Sequence, residues 1–271
     1  DMSSLRDFME ERDLSQELIY DTKQSAYHLI ARRKHGLCEG EMLAVGKILL
    51  DSRSLRRDEM LPMLERLINC CIPNAKRKPI KDLLLNEEYH YIEPQHGKHL
   101  FNLLWSLGQA IQAHQVLRIQ YMKQDASCVK REIEPVGLMF SEFYFYLVGF
   151  IQNINKEQSF QNPADTFPTI YRVDRINELY VLDKHFTLPY SNRFEEGEFR
   201  KRIQFMYGGR LQTVHFRYVG PSIEAILDRL PTAEVKPSSD RGWDVSAEIF
   251  GTGIEMWIRS QGTYVTDFQY Q

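Results

Sequence analysis

Near Gln115 the spacing of apolar residues changes from a helical period to a strand-like period. In residues 39–114, apolar side chains recur three and four positions apart, beginning with Met42 and Val45, and this spacing places them along one face of a helix. In residues 116–121, apolar and polar side chains alternate, which is typical of a strand with one buried face. The sequence therefore predicts a helical segment followed by a sheet.

Five short strands with polar turns between them are predicted after this change of period. They are residues 115–121, 132–140, 144–151, 169–174 and 177–182. Short strands joined in this way commonly close into a small barrel. We therefore expect a small β-barrel of the Sm or SH3-like type.

The last third of the chain alternates between strand-like and helix-like segments. A charged link at residues 193–202 is followed by a predicted order of strand, helix, strand, strand, helix, strand. The predicted strands are residues 211–219, 233–236, 243–250 and 264–268. This β-α-β-β-α-β order is that of a ferredoxin-like, split βαβ sandwich, so the whole chain is predicted to be α+β. Such folds host many functions, and the order indicates architecture only.

The N-terminal residues predict a short helix and a hairpin. Leu5 and Phe8 have the spacing of residues on one face of a helix. Residues 17–30 have the pattern of a strand, a polar turn and a second strand. This resembles the back half of a winged helix-turn-helix, although any small helix-hairpin element has the same pattern. Because the chain opens inside a helical rhythm, we expect an N-terminal piece to be missing. The basic residues 32–35 could contact phosphates or stay solvated.

Composition limits the classes of partner. The formal net charge of the chain is −3, which excludes a chain-wide attraction to phosphate and restricts any contact with DNA to local patches. Since no apolar run approaches the roughly 20 residues needed to cross a bilayer, and the start lacks the layout of a signal peptide, we expect a cytoplasmic protein with no membrane partner.

The four cysteines do not have the spacing of a metal site. Cys70 and Cys71 are adjacent, and Cys38 and Cys128 are far from them in sequence, with no CxxC pair and no matching histidines. We therefore expect buried free thiols and no metal.

Three motifs in the predicted barrel resemble the successive signatures of a WYL domain. They are Arg131–Leu138 (REIEPVGL), Phe145–Phe150 (FYLVGF) and Tyr171–Ile176 (YRVDRI), followed by Phe186. The Trp-Tyr-Leu that names the family is Phe-Tyr-Leu here, so an aromatic ring is retained and the indole N–H donor is lost.

The resemblance extends over nearly the whole chain and implies a bacterial-type, ligand-responsive transcriptional regulator. The implied domains are a partial winged helix-turn-helix (1–36), a helical connector (37–114), a WYL β-barrel that senses a ligand (115–190) and a ferredoxin-like C-terminal extension (200–271). The implied partners are double-stranded DNA at the head, a nucleotide, oligonucleotide or other small anionic ligand at the barrel, and a second copy in a homodimer. No cofactor is implied.

The resemblance also implies a ligand site. Its residues are Arg131, Tyr146, Arg172 and Arg175, with Tyr121 as a weaker addition. Guanidinium groups bind phosphate through two parallel hydrogen bonds, and aromatic rings stack on bases. Two structural alternatives stay open from the residues alone. The arginines could make exposed ion pairs, Arg131 with Glu132 and Arg172 with Asp174, and Tyr146 could belong to the barrel core.

Four basic residues near the N-terminus are predicted to contact DNA: Arg6, Lys23, Arg32 and Arg33. The sequence contains no GxSxG, Walker or HExxH motif, and His96 and His99 are predicted to lie in a solvated loop, so we expect no enzymatic activity. Two alternatives remain. The chain could be an accessory protein that binds single-stranded nucleic acid nonspecifically, or a nucleotide hydrolase.

Overall fold

The computed structural model describes residues 16–31, 36–153, 167–188, 194–238 and 241–271, and the isolated positions 2, 4, 5 and 8. The chain divides into two compact units, Asp1–Glu93 and Pro94–Gln271. Helices and strands are both well represented, so the prediction of a mixed helix-and-sheet protein is confirmed. No helix among these residues is both long enough and apolar enough to cross a membrane.

The first unit contains the predicted hairpin. Strand β1 (Gln16–Asp21) pairs antiparallel with β2 (Ala26–Ala31). The Asp21 side chain accepts the backbone N–H of Lys23 at 2.8 Å, the local hydrogen bond by which aspartate favours turns. The predicted strand-turn-strand is confirmed, whereas the basic cluster at residues 32–35 lies outside the described residues.

Three helices follow: α1 (Glu39–Ser52), α2 (Arg57–Cys71) and α3 (Asn74–Tyr89). A capping box starts α1, because the Cys38 sulfur accepts the N–H of Glu41 at 3.4 Å while the Glu41 carboxylate accepts the N–H of Cys38 at 2.7 Å. Apolar side chains at helical spacing are fully buried between the three helices. They are Met42, Met60, Leu64, Ile68 and Leu84.

The expectation of buried thiols is wrong. Cys38, Cys70 and Cys128 are exposed, and Cys71 is half-buried. Cys38 is at the surface because it caps a helix, and Cys70 lies on the outer side of α2.

The second unit begins with turns and extended chain and then forms α4 (Phe101–Gln112). Residues 90–100 lie within the segment 39–114 predicted to be helical, and they are not helical, as expected for the loop at His96 and His99. Pro94 lacks the N–H that a helix requires, and Gly97 has a φ of +63°, which is a left-handed conformation.

A five-stranded antiparallel sheet follows α4, in the order β6-β5-β4-β3-β7. Its strands are β3 (Gln115–Met122), β4 (Cys128–Ser141), β5 (Tyr144–Ile151), β6 (Thr169–Arg172) and β7 (Ile176–His185). The five strands are confirmed, but the expectation of a closed barrel is corrected. Among the described residues, β6 and β7 lie at opposite edges and are not paired with each other. The 3-10 turn Val173–Arg175 carries the chain from β6 at one edge to β7 at the other, so the sheet is strongly curved, but no strand pairing within the described ranges joins its two edges.

The segment predicted as a charged link contains the helix α5 (Glu196–Arg202). Glu198 pairs with both Lys201 and Arg202 along one side of this helix, which supports it locally. Phe199 is its buried residue and stacks on Phe250 with ring centroids 5.5 Å apart. A single buried residue in one short helix leaves no apolar period in the sequence.

The C-terminal elements are β8 (Leu211–Tyr218), α6 (Glu224–Arg229), β9 (Glu234–Pro237), β10 (Trp243–Phe250), α7 (Ile254–Ser260) and β11 (Val265–Tyr270). The sheet order is β11-β8-β10-β9, with all neighbours antiparallel. Ile226 of α6 and Trp257 of α7 pack against Phe216 and Val245 in one hydrophobic core. The two helices therefore share a core with one face of this sheet.

Candidate anion-binding site

The candidate site lies at the corner where β6 ends, the 3-10 turn begins and β7 follows. Arg172 is the last residue of β6, and Asp174 and Arg175 belong to the turn. Tyr146 of β5 lies directly opposite Arg172, so their side chains share one face of the sheet. Tyr144, two residues earlier in β5, shares this face as well.

Arg172 is held by a carboxylate and an aromatic ring. Its Nε and Nη2 donate to the two oxygens of Asp174 at 3.1 and 2.8 Å. The Asp174 side chain is 5% exposed and that of Arg172 is 23% exposed. The guanidinium carbon lies 3.4 Å from the centroid of the Tyr144 ring, a cation–π contact. The structure therefore does not support the alternative of an exposed, screened ion pair.

Asp174 fixes the orientation of Arg172 without using all of its donors. A guanidinium has five N–H groups, and the described residues provide acceptors for Nε and Nη2 only. Burial alone would lower the pKa of Arg172, but the hydrogen bonds to Asp174 outweigh it and the pKa is raised. Arg172 is therefore a permanent cation whose Nη1 edge can bind a phosphate or carboxylate.

Tyr146 is partly a core residue, which was one of the two alternatives that the sequence left open. It packs against a cluster of buried residues that includes Val148 and Met139. Burial raises the pKa of its phenol to about 12, so the hydroxyl stays protonated and can donate a hydrogen bond at neutral pH.

Tyr121 and Arg131 lie on the other face of the sheet. Arg131 is opposite Ile119, and Ile119 and Tyr121 alternate in β3, so all three share a face. The Tyr121 ring packs edge-on against Tyr171 with centroids 5.0 Å apart, and its hydroxyl accepts the backbone N–H of Arg172 at 3.3 Å. Tyr121 therefore contacts the end of β6 from the face opposite to the Arg172 side chain.

The alternative of an ion pair between Arg131 and Glu132 is not found, because Glu132 has another partner. Glu132 pairs with Arg118 at 2.7 Å, and Arg131 donates to the carbonyl of Lys130 at 3.2 Å. Burial raises the pKa of Tyr171, and the charge of Arg131 opposes that rise.

Arg175 is half-buried in the turn. In the described part of the chain, no carboxylate is paired with it. The five predicted residues therefore divide into Arg172 with Tyr146 on one face, Tyr121 with Arg131 on the other, and Arg175 in the turn between β6 and β7. Their assignment to a ligand stays a prediction.

Three residues at this corner were missed by the sequence analysis. Asp174 and Tyr144 appeared only as neighbours of predicted residues, and Lys98 lies in the segment predicted to be solvated. The Lys98 ammonium donates to the carbonyl of Ile176 at 3.1 Å and to the side chain of Asn177 at 2.9 Å. No local pattern marks a contact between residues this far apart in sequence.

Of the predicted DNA contacts, Lys23 lies in the hairpin turn and is exposed. Arg6, Arg32 and Arg33 lie outside the described residues. Within the described ranges, no group of three or more His, Cys, Asp or Glu side chains could hold a metal ion.

Comparison with protein families places this corner in a named domain. The family model described as WYL domain matches residues 102–181. The chain contains a WYL domain. The match runs from α4 into β7, so all five predicted ligand residues lie inside the WYL domain, whereas Lys98 lies just before it.

A solved structure, the proteasome accessory factor B/C (PafBC) of Arthrobacter aurescens, aligns with 98% of this chain at 13% sequence identity and a TM-score of 0.32. The chain spans 38% of the length of that protein. At this TM-score the alignment supports no argument about fold or function. The search of curated proteins found no match.

Proposed function

We propose that this chain belongs to a ligand-responsive, DNA-binding transcriptional regulator whose WYL domain binds a nucleotide, an oligonucleotide or another anionic ligand. One observation carries the proposal. Within the WYL domain, Arg172 is fixed by the buried Asp174 and by the Tyr144 ring, while its Nη1 edge is not committed to any described residue.

The chemistry of the corner suits an anion better than a neutral ligand. A preoriented guanidinium loses little conformational entropy when it binds a phosphate in two parallel hydrogen bonds. Arg175 adds a second cation, and the Tyr146 hydroxyl adds a neutral donor. Aromatic rings at the same corner offer a surface on which a base can stack.

The other parts of the proposal follow the resemblance stated above. The N-terminal hairpin would belong to a winged helix-turn-helix that contacts double-stranded DNA through Lys23, Arg6, Arg32 and Arg33. The ferredoxin-like C-terminal elements would form an extension, and two copies would assemble as a homodimer. We also propose that the chain acts as a sensor without catalysis and without a cofactor.

A ligand can control DNA binding only if it binds two arrangements of the dimer with different affinity. In this proposal, an anion at the Arg172 corner favours one placement of the two DNA-binding heads and so changes their fit to two half-sites.

A thermal-shift screen tests the proposed ligand site. The chain is tested against nucleotides, cyclic dinucleotides and short single-stranded oligonucleotides. A ligand at about 100 times its Kd should add about 2.7 kcal/mol to the free energy of unfolding. The test variant is the double substitution Arg172→Gln/Asp174→Asn, which removes both charges without leaving one of them buried and unpaired. The matched control is Arg118→Ala, which removes an exposed arginine from the same sheet.

We expect a shift in the wild type and in Arg118→Ala that is lost in the double variant. Equal shifts in all three proteins would show that Arg172 is not the site, and an absence of shifts across the panel would remove the sensor proposal. Turnover of a bound nucleotide would establish the hydrolase instead. Binding to any single strand, with no preference for a duplex sequence, would favour the accessory protein.

A further inference from the structure

Residues 94–100, where the second unit begins, include buried residues and a lysine that is hydrogen-bonded to β7. Pro94 and Leu100 are buried at the two ends of the segment. Between them, the half-buried Lys98 donates to the Ile176 carbonyl at 3.1 Å and to the Asn177 side chain at 2.9 Å. Through Lys98, the segment is therefore attached to the first residues of β7, next to the turn that contains Asp174.

Asp174 lies between two cations. Its carboxylate receives two hydrogen bonds from Arg172. The Lys98 ammonium is held on Ile176 and Asn177, two and three residues after Asp174, and the Asp174 charge opposes the lowering of the Lys98 pKa by burial. Asp174 is almost fully buried, so water screens these interactions weakly. A change of charge near Arg172 therefore alters the electrostatic energy of Lys98.

We propose that Lys98 is a positioning residue that couples anion binding at Arg172 to the order of residues 94–100. The proposal rests on the proposed function, because it takes Arg172 and Arg175 as the anion site. A bound phosphate adds negative charge beside Asp174 and shares Arg172 with it. The Lys98 ammonium then becomes the main compensating charge for Asp174, and its hydrogen bonds to Ile176 and Asn177 are strengthened.

Thermodynamic linkage makes this coupling reciprocal. If an anion orders residues 94–100 through Lys98, then removing the Lys98 ammonium weakens anion binding by the same factor. Lys98 does this by acting through Asp174, and it need not touch the anion.

Hydrogen exchange in the ligand-free chain tests the link itself. Backbone exchange of residues 95–100 is measured by mass spectrometry in the wild type, Lys98→Met and Asp174→Asn. The control is Lys130→Met, which removes an exposed lysine from β4. Exchange in β8 and β10 of the same samples reports whether a variant has lost its fold.

We expect exchange of residues 95–100 to rise about threefold or more in Lys98→Met and in Asp174→Asn, with no change in β8, β10 or the Lys130→Met control. Wild-type exchange of residues 95–100 in a folded Asp174→Asn would overturn the link, whether or not any ligand binds.

Calorimetry with a 5′-phosphorylated thymidine tetranucleotide tests the coupling. Lys98→Met should weaken binding about fivefold and Lys130→Met less than twofold, although both remove one positive charge. The oligonucleotide should also slow exchange of residues 95–100 in the wild type but not in Lys98→Met. Equal affinity of the wild type and Lys98→Met would overturn the coupling. If the wild type does not bind this oligonucleotide, the anion site fails for this ligand, and exchange in the ligand-free chain still decides the role of Lys98.

Discussion

Two arginine–carboxylate pairs on the WYL sheet differ in geometry and in surroundings. Arg172 donates to both oxygens of Asp174, whereas Arg118 donates twice to Oε1 of Glu132. In both, the arginine donates from Nε and Nη2, and the shorter hydrogen bond measures 2.8 Å for Arg172–Asp174 and 2.7 Å for Arg118–Glu132. The exposed fractions of the side chains are 23% and 5% in the first pair but 52% and 28% in the second. Each arginine also has a tyrosine across the neighbouring strand, Tyr146 opposite Arg172 and Tyr180 opposite Arg118.

The comparison shows that burial of the carboxylate, together with hydrogen bonds to both of its oxygens, decides what such a pair can do. At Arg118, water competes for both charges, so the side chain can leave Glu132 at little cost. At Arg172, the buried Asp174 has no equivalent access to solvent, and the Tyr144 ring restricts the guanidinium on one face. Only the Arg172–Asp174 arrangement holds a cation in one orientation in which it can bind an anion.

The largest expected difference is in stability. Arg172→Ala leaves the Asp174 carboxylate buried without its partner, which should lower the free energy of unfolding by about 3 kcal/mol. Arg118→Ala should lower it by less than about 0.5 kcal/mol, because Glu132 can be hydrated instead. Urea unfolding followed by circular dichroism measures both. Losses of similar size would mean that the two pairs do not differ as described.

A smaller difference is expected at alkaline pH. Because the pKa of Tyr146 is raised to about 12 from an ordinary value of about 10, the unfolded chain loses this proton first. The contribution to stability is complete below pH 10 and is lost as the pH rises to about 12. Tyr146→Phe should therefore lose less stability than the wild type over this interval, measured by urea unfolding at several pH values. The exposed Tyr180 provides the control, and a Tyr180→Phe variant with the same behaviour as Tyr146→Phe would refute the assignment.

The smallest expected effect is in the response to salt. A double-mutant cycle on Arg118 and Glu132 should give a coupling of a few tenths of a kcal/mol that disappears in 1 M NaCl, since the screening length is then about 3 Å. The coupling between Arg172 and Asp174, measured in the same way, should be larger and should persist at that salt concentration. Salt sensitivity of both couplings to the same degree would contradict the difference in burial.

Much of the fold could be predicted because its helices and strands follow from local patterns of apolar and polar residues. The alternation after Gln115, the hairpin in residues 17–30 and the order of the C-terminal elements all appear as strands and helices near the predicted bounds. The open sheet and α5 were missed for one shared reason, since each depends on contacts between distant parts of the chain. Whether β6 and β7 close a barrel is not a property of either strand, and α5 buries only Phe199.

The candidate site could be predicted only in part for the same reason. The motif Tyr171–Ile176 pointed to Arg172 and Arg175, but it did not show that Asp174 is buried or that Arg172 lies on Tyr144. Alternation within each strand does not show that Arg131 and Tyr146 lie on different faces, because their relative position depends on the register in which β4 pairs with β5. Lys98 lies in a segment with no period at all.

The most direct test of the account is a proton–nitrogen NMR spectrum of the arginine side chains, with and without the phosphorylated tetranucleotide. Arg172 and Arg118 are assigned from the variants that lack them. The account predicts that the Arg172 Nε proton exchanges slowly with water while that of Arg118 exchanges fast, and that the ligand shifts the Arg172 Nη signals and leaves those of Arg118 in place. Equally fast exchange at both arginines, or a ligand that shifts Arg118 and not Arg172, would contradict it.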